Sequence, residues 1–543
     1  LSPAKLLNEP MTSKSDAAAA TAGFRRDADW LLAVSATVAV LALHLYFLNR
    51  AGGLGRDEVN SVTHAQGALS NITHDSFPIL FPLLLRGWSG LGLGESDPAL
   101  RCFGVLMGIS LAAVFWLAAW WTRRAPPLWS LVLVALNAWV IYFAAWLRAY
   151  GLGTALIALC AAAAWHFVQS PGRKSWLIFA AAAVLSVQTL YQNSVLVAAV
   201  CAGAGAVCLR RKNFKLAAAI FFAGLVAAIS LLPYWHIVAG MPQGAAPLRM
   251  DFDRWVALDD LDTLLAYPLP QFVWVWLLLA GFVLLRAAAG FFSARDDDRA
   301  LFAAATMIFG AALFWIFLKL ANFPVQPWYF LPPVALSAVC LEAALPRAVG
   351  RFRAVFWGGL AAAAAVSILF AVRVLDYRFT NVDLFAEKIS AAAGKNDFVV
   401  VTPWQMGITF SRYFKNPCAW TTVPPMADHS SQRYDLLAAQ MQNTNAMQPV
   451  LARVADTLRS GGTVWVVGGI NEADGPDAPA SPPPPPLPAS GWNETPYRFT
   501  WNNQLGWLLR HNSTNIECLD KGDAEDVNLD ERVAFSKVTG WKN

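Results

Sequence analysis

Long runs of Leu, Ala, Val, Phe and Trp alternate along this chain with short polar connections. The apolar runs fall near 29–48, 98–121, 128–146, 149–168, 176–190, 194–209, 216–238, 269–292, 300–320, 328–345 and 354–374. Crossing a hydrocarbon core of ~30 Å at ~1.5 Å per residue takes about 20 apolar residues, so the pattern predicts about eleven transmembrane helices. Helices are the expected element because each lipid-facing backbone group must find its partner within its own segment. Residues 1–28 form a polar, Ala-rich leader with Lys5, Lys14, Arg25 and Arg26, too polar for a secretory signal peptide.

The pattern changes after residue 374. Strands are predicted at Asp397–Thr402, Thr463–Val467, Asn515–Leu519 and near Arg532–Lys537, with helices around Tyr434–Ser460 and Gln504–His511. Such alternation predicts a C-terminal α/β domain over 375–543, interrupted by a Pro-rich insertion at 479–490 whose composition forbids a packed core. No G-x-G-x-x-G follows DFVVVT, and the Gly461-Gly462 and Gly468-Gly469 pairs read as turns, so no nucleotide is assigned to this domain.

Composition agrees with a membrane protein: 57% of residues are hydrophobic, 14% are charged and the mean hydropathy is +0.43. The net charge of +5 comes from scattered rather than striped basic residues, which excludes a nucleic-acid surface and suits orientation in a bilayer. Arg123 and Arg124; Arg173 and Lys174; Arg210, Arg211, Lys212 and Lys215; Arg295 and Arg299; and Arg347, Arg351 and Arg353 fall on alternate connections with the leader. The intervening longer loops hold only Arg50, Arg56, Arg86, Arg148, Arg249, Arg254 and Lys319. This bias predicts a cytoplasmic N-terminus, with the 49–97 loop and the C-terminal domain on the outer, periplasmic side of a bacterial plasma membrane. Five cysteines sit in predicted spans and no Cys/His set has metal spacing, while Cys418 and Cys518 in the outer domain leave one disulfide open.

The 49–97 loop concentrates the polar chemistry, with Arg56, Asp57, Glu58, His64, His74, Asp75 and Arg86, and Arg101 follows it. Asp57 and Glu58 could simply cap a helix N-terminus. Against this, the following segments are amphipathic or Pro- and Gly-broken, as in helices lying along an interface, which sets the acidic pair at the depth of a lipid phosphate.

Here the chain resembles the membrane glycosyltransferases of the GT-C fold, in particular the branch of protein O-mannosyltransferases and the lipid A aminoarabinose transferase. The resemblance covers about residues 29–374. It is carried by Arg-Asp-Glu at 56–58, His74-Asp75 with Pro78, LLLRGWSGLGLGESDPALR at 83–101, Arg148-Ala-Tyr150, and VQPWYFLPPVAL at 325–336. It implies hexosyl or pentosyl transfer, with inversion, from a polyprenyl-phosphate donor to a lipid, glycan or protein acceptor on the outer face. Asp57 is then the base and Glu58 its neighbour. Arg86, Arg101, Arg148 and Lys319 are candidates for the lipid phosphate, joined by Arg56, His74, Asp75, Tyr150, Trp328 and Tyr329. Two places depart from the family pattern: His74-Asp75-Ser76 stands where relatives carry His-Pro-Pro, and Trp328-Tyr329 where they carry Arg-Tyr, so Lys319 is expected to supply the missing cation.

Asp251, Asp253, Asp259, Asp260 and Asp262 form an acidic outer loop. A divalent cation is therefore the one candidate cofactor, although the spacing is not that of a calcium loop and solvated acidity explains it as well. Arg286 and Glu342 fall within spans near the cytoplasmic end and are expected to pair, since an unpaired charge there is costly. His44, His166 and His236 read as packing or interfacial residues. The rival readings are a secondary transporter, which lacks its usual inverted repeat here, and a carrier-lipid glycan ligase or flippase.

Overall fold

The structure, a computed structural model, describes residues 14–68, 77–123, 125–235, 252–292, 297–321, 324–345, 353–471, 481–483 and 493–542. The apolar runs form helices: α1 (Lys14–Arg50), α2 (Arg56–Gln66), α3 (Leu80–Trp88), α4 (Asp97–Arg123), α5 (Ala138–Ala144), α6 (Tyr150–Gln169) and α7 (Arg173–Val187). These are followed by α8 (Asn193–Arg210), α9 (Phe214–Ile229), α10 (Arg254–Leu265), α11 (Phe272–Phe292), α12 (Asp298–Ala321), α13 (Leu331–Ala344) and α14 (Arg353–Leu375). Among the described residues, eight helices are long and apolar enough to cross a membrane, against the eleven expected. The three remaining predicted spans are shorter: 128–146 is broken at Asn137, whose side chain caps α5; α7 has 15 residues; and 328–345 begins as a 3-10 turn, Pro327–Phe330, before the 14 residues of α13.

The transmembrane core is organised around α6, which packs against α4, α7, α8 and α13. Its Ala161–Ala164 run is fully buried, and small side chains let helices approach closely where lipid supplies no hydrophobic drive. By contrast, 11% of the α11 span window is buried, which leaves that helix to face lipid.

The expected Arg286–Glu342 pair does not form. Arg286 instead pairs with Asp297 and donates to the Ala344 carbonyl, while one Glu342 oxygen accepts from the N–H groups of Leu128 (3.0 Å), Trp129 (2.7 Å) and Ser130 (3.2 Å). The backbone N–H groups opening a helical segment have no internal acceptor, and a buried carboxylate answers several of them at once. Glu342→Ala is expected to lower stability by about 3 kcal/mol, because it orphans buried donors; thermal unfolding in detergent measures it.

The C-terminal domain adds α15 (Val382–Ala392), β1 (Phe398–Val401), α16 (Met406–Tyr413), β2 (Ala419–Thr422), α17 (Tyr434–Gln442), α18 (Gln448–Arg459), β3 (Thr463–Val467), α19 (Thr495–Asn512), β4 (Ser513–Asp520) and β5 (Phe535–Trp541). The sheet order is β2-β1-β3-β5-β4, with β1 parallel to β2 and β3, and β5 antiparallel to both its neighbours. Alternate residues of β1 feed two cores: Phe398 and Val400 meet Trp501 and Leu505, whereas Val399 and Val401 meet Phe385, Phe410 and Phe535. All seven cysteines are free thiols, so Cys418 and Cys518 are not bridged. The Pro-rich insertion lies almost wholly outside the described residues.

This domain docks on the loop that leads into α2. Phe379 N–H donates to the Ala51 carbonyl (2.9 Å), Leu54 N–H donates to the Tyr413 hydroxyl (2.6 Å), and Arg412 pairs with Asp97 at the start of α4 (2.6 Å). Gly52 has φ +69°, a backbone conformation that favours glycine, and the Arg378 guanidinium packs against it, 2.6 Å from where a Cβ would stand.

Candidate active site

The site is built on the first turn of α2. Gly55 is its N-cap, and Glu58 reaches back to the Gly55 N–H (3.1 Å), the return half of a capping box that fixes the direction in which the helix starts. Glu58 is fully buried. It pairs with Arg101 and accepts from the Leu147 N–H (3.0 Å), while Arg101 donates to the Gly53 carbonyl (2.7 Å) and lies over the Phe379 ring at 4.3 Å. Burial pushes the Glu58 carboxyl up, and Arg101 with the two backbone donors pulls it down. Each of these two residues thus answers the other, and together they tie α2, α4, the α5–α6 connection and the C-terminal domain into one wall.

Asp57 is placed differently. Its side chain is 21% exposed, and its Oδ1 accepts from the Gln432 amide (2.6 Å) with Arg56 Nε at 4.0 Å. Arg148 supports the same turn from behind: its Nη1 donates to the Asp57 carbonyl (3.2 Å) and the Ser61 hydroxyl (3.1 Å), and its guanidinium covers the Phe77 ring at 4.5 Å. Tyr329 lies within electrostatic range of both Arg148 and Asp57.

Aromatic rings continue the surface. Trp328 meets Trp146 edge to face at 4.9 Å and Phe143 at 5.5 Å, and the Tyr150 ring is 6.0 Å from that of Tyr329. Arg56, Asp57, Arg148, Tyr150, Trp328 and Tyr329 are thereby brought to one region. Arg86 is not: its Nη1 donates to the carbonyls of Ala65 (3.1 Å) and Gly67 (2.7 Å), closing the far end of α2. Lys319 is exposed in the last turn of α12. His74 and Asp75 lie outside the described residues, as does His236. His44 bonds the Val40 carbonyl through Nδ1 (2.8 Å), and His166 stacks on Trp121 at 5.0 Å, both as packing residues.

Sequence reasoning missed the contribution of the C-terminal domain. Gln432 also donates its N–H to Asn60 Oδ1 (3.0 Å), and Glu531 accepts from the Arg56 N–H (3.1 Å). Neither sits in a motif, and both are far away in sequence. The acidic loop hides a second surprise: burial and neighbouring Asp259 push Asp260 up to about 6, and its buried Oδ2 has no hydrogen-bond partner. Asp260 lies within electrostatic range of Tyr329, and α10 packs on the Pro327–Phe330 turn. Asp253 caps α10 through the Trp255 N–H (2.8 Å), and Asp259 and Asp262 are exposed. Among the described residues no group of three or more His, Cys, Asp or Glu is arranged to hold a metal.

No family model and no curated protein matches this chain. The solved structures similar to it include two of ArnT from Cupriavidus metallidurans. The form bound to undecaprenyl phosphate has a TM-score of 0.48 and 13% identity, over 81% of this chain and 92% of that one. The apo form has a TM-score of 0.49 and 12% identity over the same shares.

Proposed function

We propose that this protein is a membrane glycosyltransferase that moves a sugar from a polyprenyl-phosphate donor to an acceptor on the outer face, with Asp57 as general base. The observation that carries this reading is the contrast between two adjacent carboxylates. Glu58 is buried and fully paired, whereas Asp57 keeps a partly exposed carboxylate held through one oxygen by Gln432. An acceptor hydroxyl attacking the anomeric carbon must lose a proton, and the departing lipid phosphate gains negative charge. The second oxygen of Asp57 is suited to the proton. Arg56 and Arg148 supply positive charge beside it, and Arg148 also fixes the Asp57 backbone. The partly exposed rings of Trp328 and Tyr329, backed by the buried rings of Trp146 and Tyr150, offer an apolar wall of the kind a prenyl chain and a sugar face both require.

The first-loop motifs shared with GT-C enzymes support the same assignment, and the alternating basic loops support an inner-membrane orientation with the C-terminal domain outside. Purified protein in lipid nanodiscs, assayed for sugar release from polyprenyl-phosphate sugars with Asp57→Asn as control, tests it. Sugar transport that survives the substitution, with no release in either protein, would support a transporter instead. Lys319→Glu is expected to abolish donor turnover if this exposed cation meets the lipid phosphate; unchanged turnover removes it from the site.

A further inference from the structure

Glu531 belongs to the segment joining β4 to β5, yet its carboxyl leaves its own domain and ends on α2. The segment is held by Arg378, whose N–H and carbonyl bond Asp526 (2.7 Å) and Asn528 (2.9 Å), and by Asn381, which exchanges two bonds with the Val533 backbone (2.8 and 3.0 Å). Glu531 Oε1 accepts from the Arg56 N–H and lies 3.3 Å from Arg56 Nε, and that same Nε is 4.0 Å from Asp57 Oδ1. One guanidinium therefore stands between two carboxyl groups. The Glu531 side chain is 7% exposed against 21% for Asp57, and Glu531 Oε2 is buried without a hydrogen-bond partner.

The charged and titratable groups around Glu531 are Arg56, Asp57 and Glu58 on α2, Tyr142 on α5 and the adjacent Asp530, with Tyr434 facing the same guanidinium. Glu58 is already answered by Arg101, so Arg56 is the cation that Glu531 and Asp57 share. A buried carboxylate with one oxygen uncompensated is costly, and a neutral acid there costs less.

We propose that Glu531 is a positioning residue of the transfer site that keeps its proton at neutral pH, so that Arg56 serves Asp57 alone. This rests on reading Asp57 as the base. Burial pushes the Glu531 carboxyl up to about 8, in keeping with the geometry. Above that pH, Glu531 takes Arg56 as its own counter-ion and adds a second negative charge beside a departing phosphate, opposing the charge that develops there. The C-terminal domain then sets the alkaline limit of the reaction.

The test is Glu531→Gln in the full-length reconstituted protein, with kcat/KM for a polyprenyl-phosphate sugar followed across pH. At neutral pH the variant should lie within about twofold of wild type, with the same acid limb. Above pH 8 the wild type should fall about tenfold per pH unit and the variant should not. A variant whose alkaline limb matches the wild type overturns the proposal, as does a wild type with no fall there should the variant not accumulate. A second readout needs no turnover. The folded state keeps a proton that the unfolded chain releases, so stability present at low pH is lost as pH rises from 4.5 to about 8. The melting temperature of substrate-free wild type should therefore drop relative to Glu531→Gln over that range, and parallel melting profiles overturn the proposal. A wild type that shows the melting difference but releases sugar from no polyprenyl-phosphate donor keeps this protonation state and removes the glycosyltransferase reading.

Discussion

Asp57→Asn is expected to lower sugar transfer by about 10²–10⁴-fold, the range lost when a positioned base is removed, in a protein that still folds. Asparagine retains an oxygen for the Gln432 amide and fills the same space at the start of α2, so the turn and its contact with the C-terminal domain persist. What disappears is the capacity to take a proton. The accompanying loss of a negative charge near a helix N-terminus amounts to about 0.3–1 kcal/mol, too little to unfold a domain anchored by Arg412–Asp97 and the Leu54–Tyr413 bond. Single-turnover transfer combined with a melting curve separates the two effects. Wild-type turnover in the variant would show that the proton leaves by another route.

The second large effect falls on the neighbouring carboxylate and concerns folding rather than chemistry. Glu58→Ala or Arg101→Met is expected to cost about 3–5 kcal/mol, because each strands a buried charge that its partner had answered. Glu58→Ala further removes the acceptor for the Gly55 and Leu147 N–H groups. The double substitution Glu58→Ala/Arg101→Met should lose much less than the sum of the single losses, as residues in one network do not act additively. A double-mutant cycle read by chemical unfolding in detergent measures this, and additive losses would show that the pair is not coupled. Two adjacent acids in the sequence thus give opposite phenotypes, one catalytic and one structural.

How much of this was legible in the chain depends on the range over which the responsible forces act. The apolar runs, the change after residue 374 and four of the five strands, all but β2, follow from local composition and periodicity, and the structure contains them. The surplus of expected spans has local causes too: Asn137 accepts from two backbone N–H groups and interrupts what reads as one apolar run, and prolines open α13. Glu342 was assigned the wrong partner because sequence shows which charges need an answer but not that a helix start lies nearer than a guanidinium. Asp57 stood out because carboxylates at a membrane border are unusual. Gln432 and Glu531, 375 and 475 positions from their α2 partners, carry no motif, and only the docking of the two domains brings them to α2.

The placement of β5 in the sheet has a consequence for biogenesis. Among the described strands β5 comes latest in the chain, yet it lies inside the sheet, hydrogen-bonded to β3 on one side and β4 on the other, and Glu531 is held a few residues ahead of it. A chain that has reached residue 530 already holds α1 to α14 and Asp57, yet it lacks the acid beside Arg56 and leaves the strand edges that β5 would cover open. A chain that stops short of β5 therefore exposes bare strand edges, and a quality-control system that samples such edges would detect it.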